Sequence, residues 1–230
     1  DIFNAEGIAL PPAANWDEVV ALSRQLTRKT PFKEITRSGI PLGTYRNVDR
    51  AFEIVSAIFF QYNATIVPFH KLWTNFGTGG INALDFYTSF ANPVKENFSW
   101  TKRMPSSLDA FAEGETAMVF GFSEDIARLR EKNPHLKYGV APFPQRKDSP
   151  FSVSFGKFFF PTVAKFSKEP VAAWQFLLYL GSQPAAEFYL KKTGRPPARR
   201  DLVGAGSATA AMDVFYRQSL IAKTWAIPAR

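Results

Sequence analysis

The sequence predicts an α/β fold, an open sheet flanked by helices, and three observations carry that expectation. The stretch Leu108 to Pro144, LDAFAEGETAMVFGFSEDIARLREKNPHLKYGVAPFP, reads as a helix stopped at Gly114, an apolar strand from Thr116 to Phe120, and a sharp corner at Gly121, Phe122 and Ser123. A charged helix and a second strand ending in Ala141 and Pro142 follow. A corner of the same form, Gly43-Thr44-Tyr45-Arg46-Asn47, joins a candidate strand to an amphipathic helix. The chain also has 230 residues, 46% of them hydrophobic, enough to bury one or two cores.

Taken in order, residues 1 to 10 read as loop, and Pro11-Pro12 blocks a helix there. Asn15 followed by Glu18 forms a capping box for a helix from Trp16, whose apolar face is Trp16, Val19, Val20, Leu22 and Leu26. Arg28 and Lys29 would sit at its negative end. A short strand falls within Phe32 to Leu42. Asn47 would then cap a helix in which Val48, Ala51, Phe52, Val55, Ile58, Phe59 and Tyr62 recur at spacings of three and four, with Asn63 as its stop.

Pro68 to Asn82, with Gly77, Gly79 and Gly80, reads as a loop, and Ala83 to Ala91 as a helix. Asn97 to Pro105 is a connecting loop carrying Trp100, whose ring either stacks on a sugar face or folds over its own lobe. In the central stretch Ser123 is placed to cap the next helix, with Glu124 and Asp125 at its positive end. Phe151 to Val163 reads as strand material interrupted by Gly156. Ala172 to Leu180 is apolar nearly all round and reads as a buried helix. Gln183 to Lys192 is a further helix stopped by Gly194, and Ala208 to Trp225 ends in a last one.

Open α/β sheets bind ligands beyond the carboxyl ends of their strands. Two corners of one form on one sheet would therefore line a common edge, with Thr44, Tyr45 and Asn47 beside Gly121, Phe122 and Ser123. Other chemistries find less support. There is no cysteine, which removes disulfides, thiolate metal sites and cysteine nucleophiles. The two histidines, His70 and His135, have no partner at metal-ligand spacing, and no metal or other cofactor is expected. No G-x-S-x-G elbow and no phosphate loop occurs. Glu113 with Glu124 or Asp125 could form the carboxylate pair of a sugar hydrolase, the alternative to simple binding. The charge of +8 is dispersed except in KKTGRPPARR, whose prolines argue against a groove-reading helix, so no nucleic-acid partner is expected. A basic rim near an anionic ligand or membrane surface fits better, and a solvated face better still.

The wording GETAMVFG, then a helix, then YGVAPFPQ resembles the second lobe of the family 1 extracellular solute-binding proteins, the substrate receptors of ABC importers. DIFNAEGIALPPAANWDEVVALSRQLT, ALDFYTSFANP and VAKFSKEPVAAWQFLLYLGSQPAAEFYLKKTGRPPARRDL extend the resemblance in the family's order over most of the chain. The resemblance implies a periplasmic-binding-protein-like (type II) lobe with a partial first lobe. Residues 1–141 would be the second lobe, 142–192 a strand and helix of the first, and 193–230 the return. Phe155 and Lys157 would then face the cleft opposite the Gly121 corner, where Glu124 stands in place of a second aromatic residue. The implied function is reversible capture of a sugar-like solute and its delivery to an ABC permease, not catalysis. The location would be periplasmic or extracellular, through an anchor not present in this chain. A truncated first lobe would leave the Ala172 to Leu180 helix exposed unless a missing lobe or a second copy covers it.

Overall fold

The computed structural model describes residues 2–8, 14–64, 77–204 and 209–225. Helix α1 (Ile2–Ala5) precedes α2 (Trp16–Leu26), which starts where its capping box directs. The Glu18 amide donates to Asn15 Oδ1 (3.1 Å), Asn15 Nδ2 donates to Glu18 Oε1 (2.8 Å), and the Ala14 amide donates to Glu18 Oε2 (2.7 Å). Arg28 and Lys29 do not end this helix. They form β1 (Arg28–Lys29), which pairs antiparallel with β2 (Ile35–Arg37). Helix α3 (Ala51–Gln61) follows the first corner and stops at Asn63, whose φ of 52° lies in the left-handed region. The expected prolines 11 and 12 and His70 lie outside the described residues.

Helix α4 (Gly77–Ser89) begins earlier than expected: Gly77 starts it with a left-handed φ of 56°, and Gly79 serves packing. A Cβ on Gly79 would stand 2.4 Å from the Tyr62 carbonyl oxygen, so only glycine lets α4 approach the end of α3. Helix α5 (Ser107–Ala112) ends before Gly114 (φ 78°), as expected. Helix α6 (Asp125–Lys132), strand β3 (Ser154–Phe155), α7 (Pro170–Leu180), α8 (Gln183–Thr193), α9 (Arg200–Gly204), α10 (Ala210–Ser219) and strand β4 (Ala222–Lys223) complete the order. Gly194, with φ 63°, terminates α8.

Regular pairing is sparser than the alternation of elements suggests. Strand β3 pairs parallel with β4, and isolated parallel bridges join Asn15 to Gln145 and Ser38 to Thr116. Thr116 to Phe120 is anchored at its start alone, where the amides of Ala117 and Met118 donate to the carbonyls of Ser38 (2.9 Å) and Gly39 (3.0 Å). No strand forms over 138–141, and of 151–163 only β3 is regular. Apolar, β-prone residues make a strand only where a neighbour accepts their hydrogen bonds. Here 118–122 and 138–144 instead wall one cavity.

One hydrophobic core gathers α2, α3 and α4 around Trp16, Leu42, Ile58, Phe90 and Trp100. A smaller cluster joins Leu108 and Ala112 of α5 to Leu129 of α6. Gln61, 2% exposed, ties the core together. Its Oε1 accepts from the Trp16 indole (2.8 Å), and its Nε2 donates to the Pro144 carbonyl (2.9 Å). Helix α7 forms as expected but is not buried: none of its residues is, and Trp174, Phe176 and Tyr179 are each about three-fifths exposed. An all-apolar helix marks burial only when something packs on every face.

Asp49 organises the start of α5, accepting from the Leu108 amide (3.0 Å), the hydroxyls of Ser106 and Ser107, and Arg128 (3.1 Å). Burial works to raise its pKa, but those hydrogen bonds and the Arg128 charge together hold it below the ordinary value. A depressed folded pKa means a contribution fully present above the unfolded value of about 3.9 and lost as pH falls through the folded pKa. The stability gap between the native chain and Asp49→Asn, measured by urea unfolding, is therefore expected to be wide at neutral pH and to close below about pH 4.

Candidate functional site

The Gly121 corner is built by Asp125 and not by Ser123. The Asp125 carboxylate accepts from the Phe122 amide (2.8 Å), while the Asp125 amide donates to the Phe122 carbonyl (3.0 Å), closing the turn on itself. Helix α6 thus begins at Asp125 with no side-chain cap from Ser123. Asp125 wins because its carboxylate is charged and buried at 5% exposure, where an ionic acceptor binds an amide more strongly than a hydroxyl does. A Cβ on Gly121 would lie 3.2 Å from Asp125 Oδ2, tight enough to favour glycine there.

Arg50 anchors the corner from the start of α3. Its Nε donates to Asp125 Oδ2 (3.1 Å) and its Nη2 to Asp125 Oδ1 (2.7 Å) and Glu124 Oε1 (2.9 Å), and the guanidinium lies 5.2 Å from the Phe122 ring centre. Hydrogen bonds to Asp125 hold its pKa above the ordinary arginine value, against partial burial. Glu124 gathers more cations: Arg195 Nη2 at 3.0 Å and Lys157 Nζ at 4.0 Å. Arg195 and Lys157 both lie over the Phe159 ring, at 5.2 and 5.3 Å. One carboxylate therefore draws together the corner, the segment after β3 and the passage after α8.

The corner opens on a half-enclosed cavity of about 840 Å³. Gly121, Phe122, Arg50, Glu53, Asp125 and Phe155 line one part of it, and mainly apolar residues of α1, α5, α6, α10 and 138–144, with Glu113, Asn133 and Lys137 among them, line much of the rest. Phe155 is held edge-on to Phe52 (5.9 Å) and stacked near Phe60 (6.3 Å). Of the residues singled out in the sequence, Gly121, Phe122 and Phe155 line this cavity; Glu124 is tied to it through Arg50 and Lys157 through Glu124, and Ser123 follows Phe122 in the chain.

The other corner does not share this cavity. Thr44 lines a separate one of about 340 Å³ with Phe98, Thr101 and Arg103. Its hydroxyl donates to Asn47 Oδ1 (2.6 Å), and Asn47 Nδ2 donates to the carbonyls of Thr101 (2.9 Å) and Met104 (2.8 Å). Asn47 so spends its side chain pinning the 101–104 loop and does not cap α3, whose start is Arg50 in a left-handed conformation (φ 63°). Tyr45 is 74% exposed. Trp100 offers no face to a sugar: it is fully buried and belongs to the core.

Sequence reasoning missed Arg50, Glu53 and Arg195. Helix-dipole reasoning alone places Asp125 at the positive end of α6, but an acid three residues after Phe122 is also at the spacing of a side chain closing its own turn. Among the described residues no group of three His, Cys, Asp or Glu could hold a metal ion, and no helix is long and apolar enough to cross a membrane.

Comparison with known proteins places this geometry. No curated protein matches the chain. Solved structures with the same fold include a solute-binding protein of an ABC transporter from Thermotoga lettingae bound with α-D-tagatose, 20% identical with TM-score 0.63, covering 94% of this chain and 54% of that one. UgpB from Mycobacterium tuberculosis in complex with glycerophosphocholine is 16% identical with TM-score 0.67, over 97% and 55%. An ABC substrate-binding protein from Listeria monocytogenes in complex with cycloalternan is 14% identical with TM-score 0.66, over 97% and 56%. The chain spans a little over half the length of each, and the shared fold is the α/β periplasmic-binding-protein type. The family model for the bacterial extracellular solute-binding protein matches residues 1–215. The chain belongs to the family of bacterial extracellular solute-binding proteins.

Proposed function

We propose that the protein reversibly binds a small hydroxylated solute, a sugar or oligosaccharide, at the Gly121–Asp125 corner and delivers it to an ABC import permease. The observation that carries this reading is the convergence of a glycine corner, a fixed ion cluster and the rings of Phe122 and Phe155 on one half-enclosed cavity. Aromatic faces suit the C–H faces of sugars, and fixed polar groups suit their hydroxyls. Within this reading Glu124 and Lys157 hold the walls in place, and Phe155 faces the corner. Residues 1–141 and 193–230 act as the second lobe and 142–192 as part of the first. The exposed face of α7 would then pack on further first-lobe structure or on a second copy of the chain. Solute binding shifts the lobes toward closure because it contacts both walls. The protein acts in the periplasm or outside the cell, held at the membrane by an anchor.

Catalysis fits the site less well. Glu124 and Asp125 are both committed to Arg50, and Glu113 pairs with Lys132 at 3.3 Å. A thermal-shift panel of sugars, polyols and amino acids tests the reading. One sugar class at about a hundredfold over its Kd is expected to stabilise the chain by about 2.7 kcal/mol, with no product formed. Stabilisation by amino acids alone, or consumption of a sugar, would overturn it.

A further inference from the structure

The cavity is larger and more apolar than a plain sugar requires. Beyond the corner its wall is Leu108, Phe111, Met118, Leu129, Val140 and Phe215. These side chains give hydroxyls nothing to bond, whereas an apolar group against them gains dispersion contacts. Its volume of about 840 Å³ falls in the range that encloses a drug-sized molecule. Polar side chains are a minority of the lining: Glu113, Asn133 and Lys137 stand near the ends of α5 and α6, and Arg50, Glu53 and Asp125 gather at the corner. There Arg50 is already taken by Asp125 and Glu124, while Glu53, one turn along α3 and half-buried, takes no hydrogen bond or ion pair among the described residues. Glu53 is thus an open carboxylate acceptor beside the corner, within reach of the Arg50 charge, and Ile54 next to it is part of the apolar lining.

We propose that the solute is amphipathic: a hydroxylated head donates to Glu53 beside the corner, and an alkyl or aryl substituent fills the apolar trough. Alkyl and aryl glycosides have this form. The proposal rests on the sugar-binding reading of the same site and specifies the solute class.

The test titrates the full chain with glucose, maltose, and hexyl, heptyl and octyl β-D-glucosides kept below their micelle concentrations, by calorimetry. One alkyl glucoside is expected per chain, with Kd falling about fourfold for each added methylene and free sugars binding at least about tenfold more weakly. Val140→Asp, at a half-buried wall position, is expected to abolish the chain-length dependence. Trp174→Glu, on the exposed face of α7, should leave it intact. Glu53→Gln should weaken every glucoside about tenfold while keeping the increment per methylene, which keeps the proposal testable if Val140→Asp fails to fold. Equal affinity for glucose, maltose and the alkyl glucosides would overturn the proposal and leave the sugar reading standing. Chain-length dependence lost in Trp174→Glu would also overturn it, by moving the amphiphile to α7. Binding of neither class would overturn both.

Discussion

Replacing Gln61 by leucine is expected to cost about 4 kcal/mol, because it strands several buried polar groups at once. Gln61 accepts from the Trp16 indole and donates to the Pro144 carbonyl at 2.9 Å, with longer contacts to Gln145 Oε1 (3.3 Å) and the Val153 carbonyl (3.4 Å). Each partner left unpaired away from water costs about 1–3 kcal/mol, and leucine, though similar in size, supplies neither donor nor acceptor. For a chain of this length that loss corresponds to a fall in Tm of about 10 °C, readable by calorimetry. Gln61→Glu makes a sharper control: it keeps an acceptor for Trp16 but brings a carboxylate against the Pro144 carbonyl. A Tm within about 2 °C of the native chain for Gln61→Leu would mean that α3 and the 144–153 segment are held together by packing alone.

Asp125→Ala is expected to cost about 2–3 kcal/mol and to abolish solute binding. The carboxylate closes the Gly121 turn through the Phe122 amide and is the principal partner of Arg50. Removing one member of a buried pair leaves the other uncompensated, normally about 3–5 kcal/mol. The cost here is smaller because the Arg50 side chain is 24% exposed and retains Glu124. Asp125→Asn keeps an acceptor for the Phe122 amide and should recover about half the stability while binding stays impaired, since the neutral amide holds Arg50 weakly. Urea unfolding and thermal shift read the two effects separately. Full binding by a destabilised Asp125→Ala would detach the corner from the solute.

What the sequence disclosed follows the range of the interactions involved. The Asn15–Glu18 box, the left-handed stops at Asn63, Gly114 and Gly194, and the helical character of 172–180 depend on residues within four positions of one another, and each was legible. The Gly121 corner was found, but its builder was misassigned: a serine before a helix is the usual cap, and the half-buried arginine that favours Asp125 lies 75 positions away. The roles of Gln61 and Glu124 join groups between 45 and 92, and between 33 and 74, positions apart, which no local pattern encodes. For Trp100 and α7 the sequence left two outcomes open, for the same reason. A loop tryptophan was covered by core residues brought from elsewhere, while the most apolar helix was left uncovered. The shared edge failed because Thr44 and Asn47 satisfy each other and the 101–104 loop before any ligand arrives.

The central claim is that the Gly121–Asp125 corner holds a hydroxylated solute without changing it. Saturation-transfer NMR on a mixture of sugars and alkyl glucosides, recorded with the native chain and with folded Asp125→Asn, tests it most directly. The account requires transfer to one class of solute in the native chain, loss of that transfer in the variant, and a solute spectrum identical after a day of incubation. New resonances from a converted sugar, or equal transfer in both proteins, would contradict it.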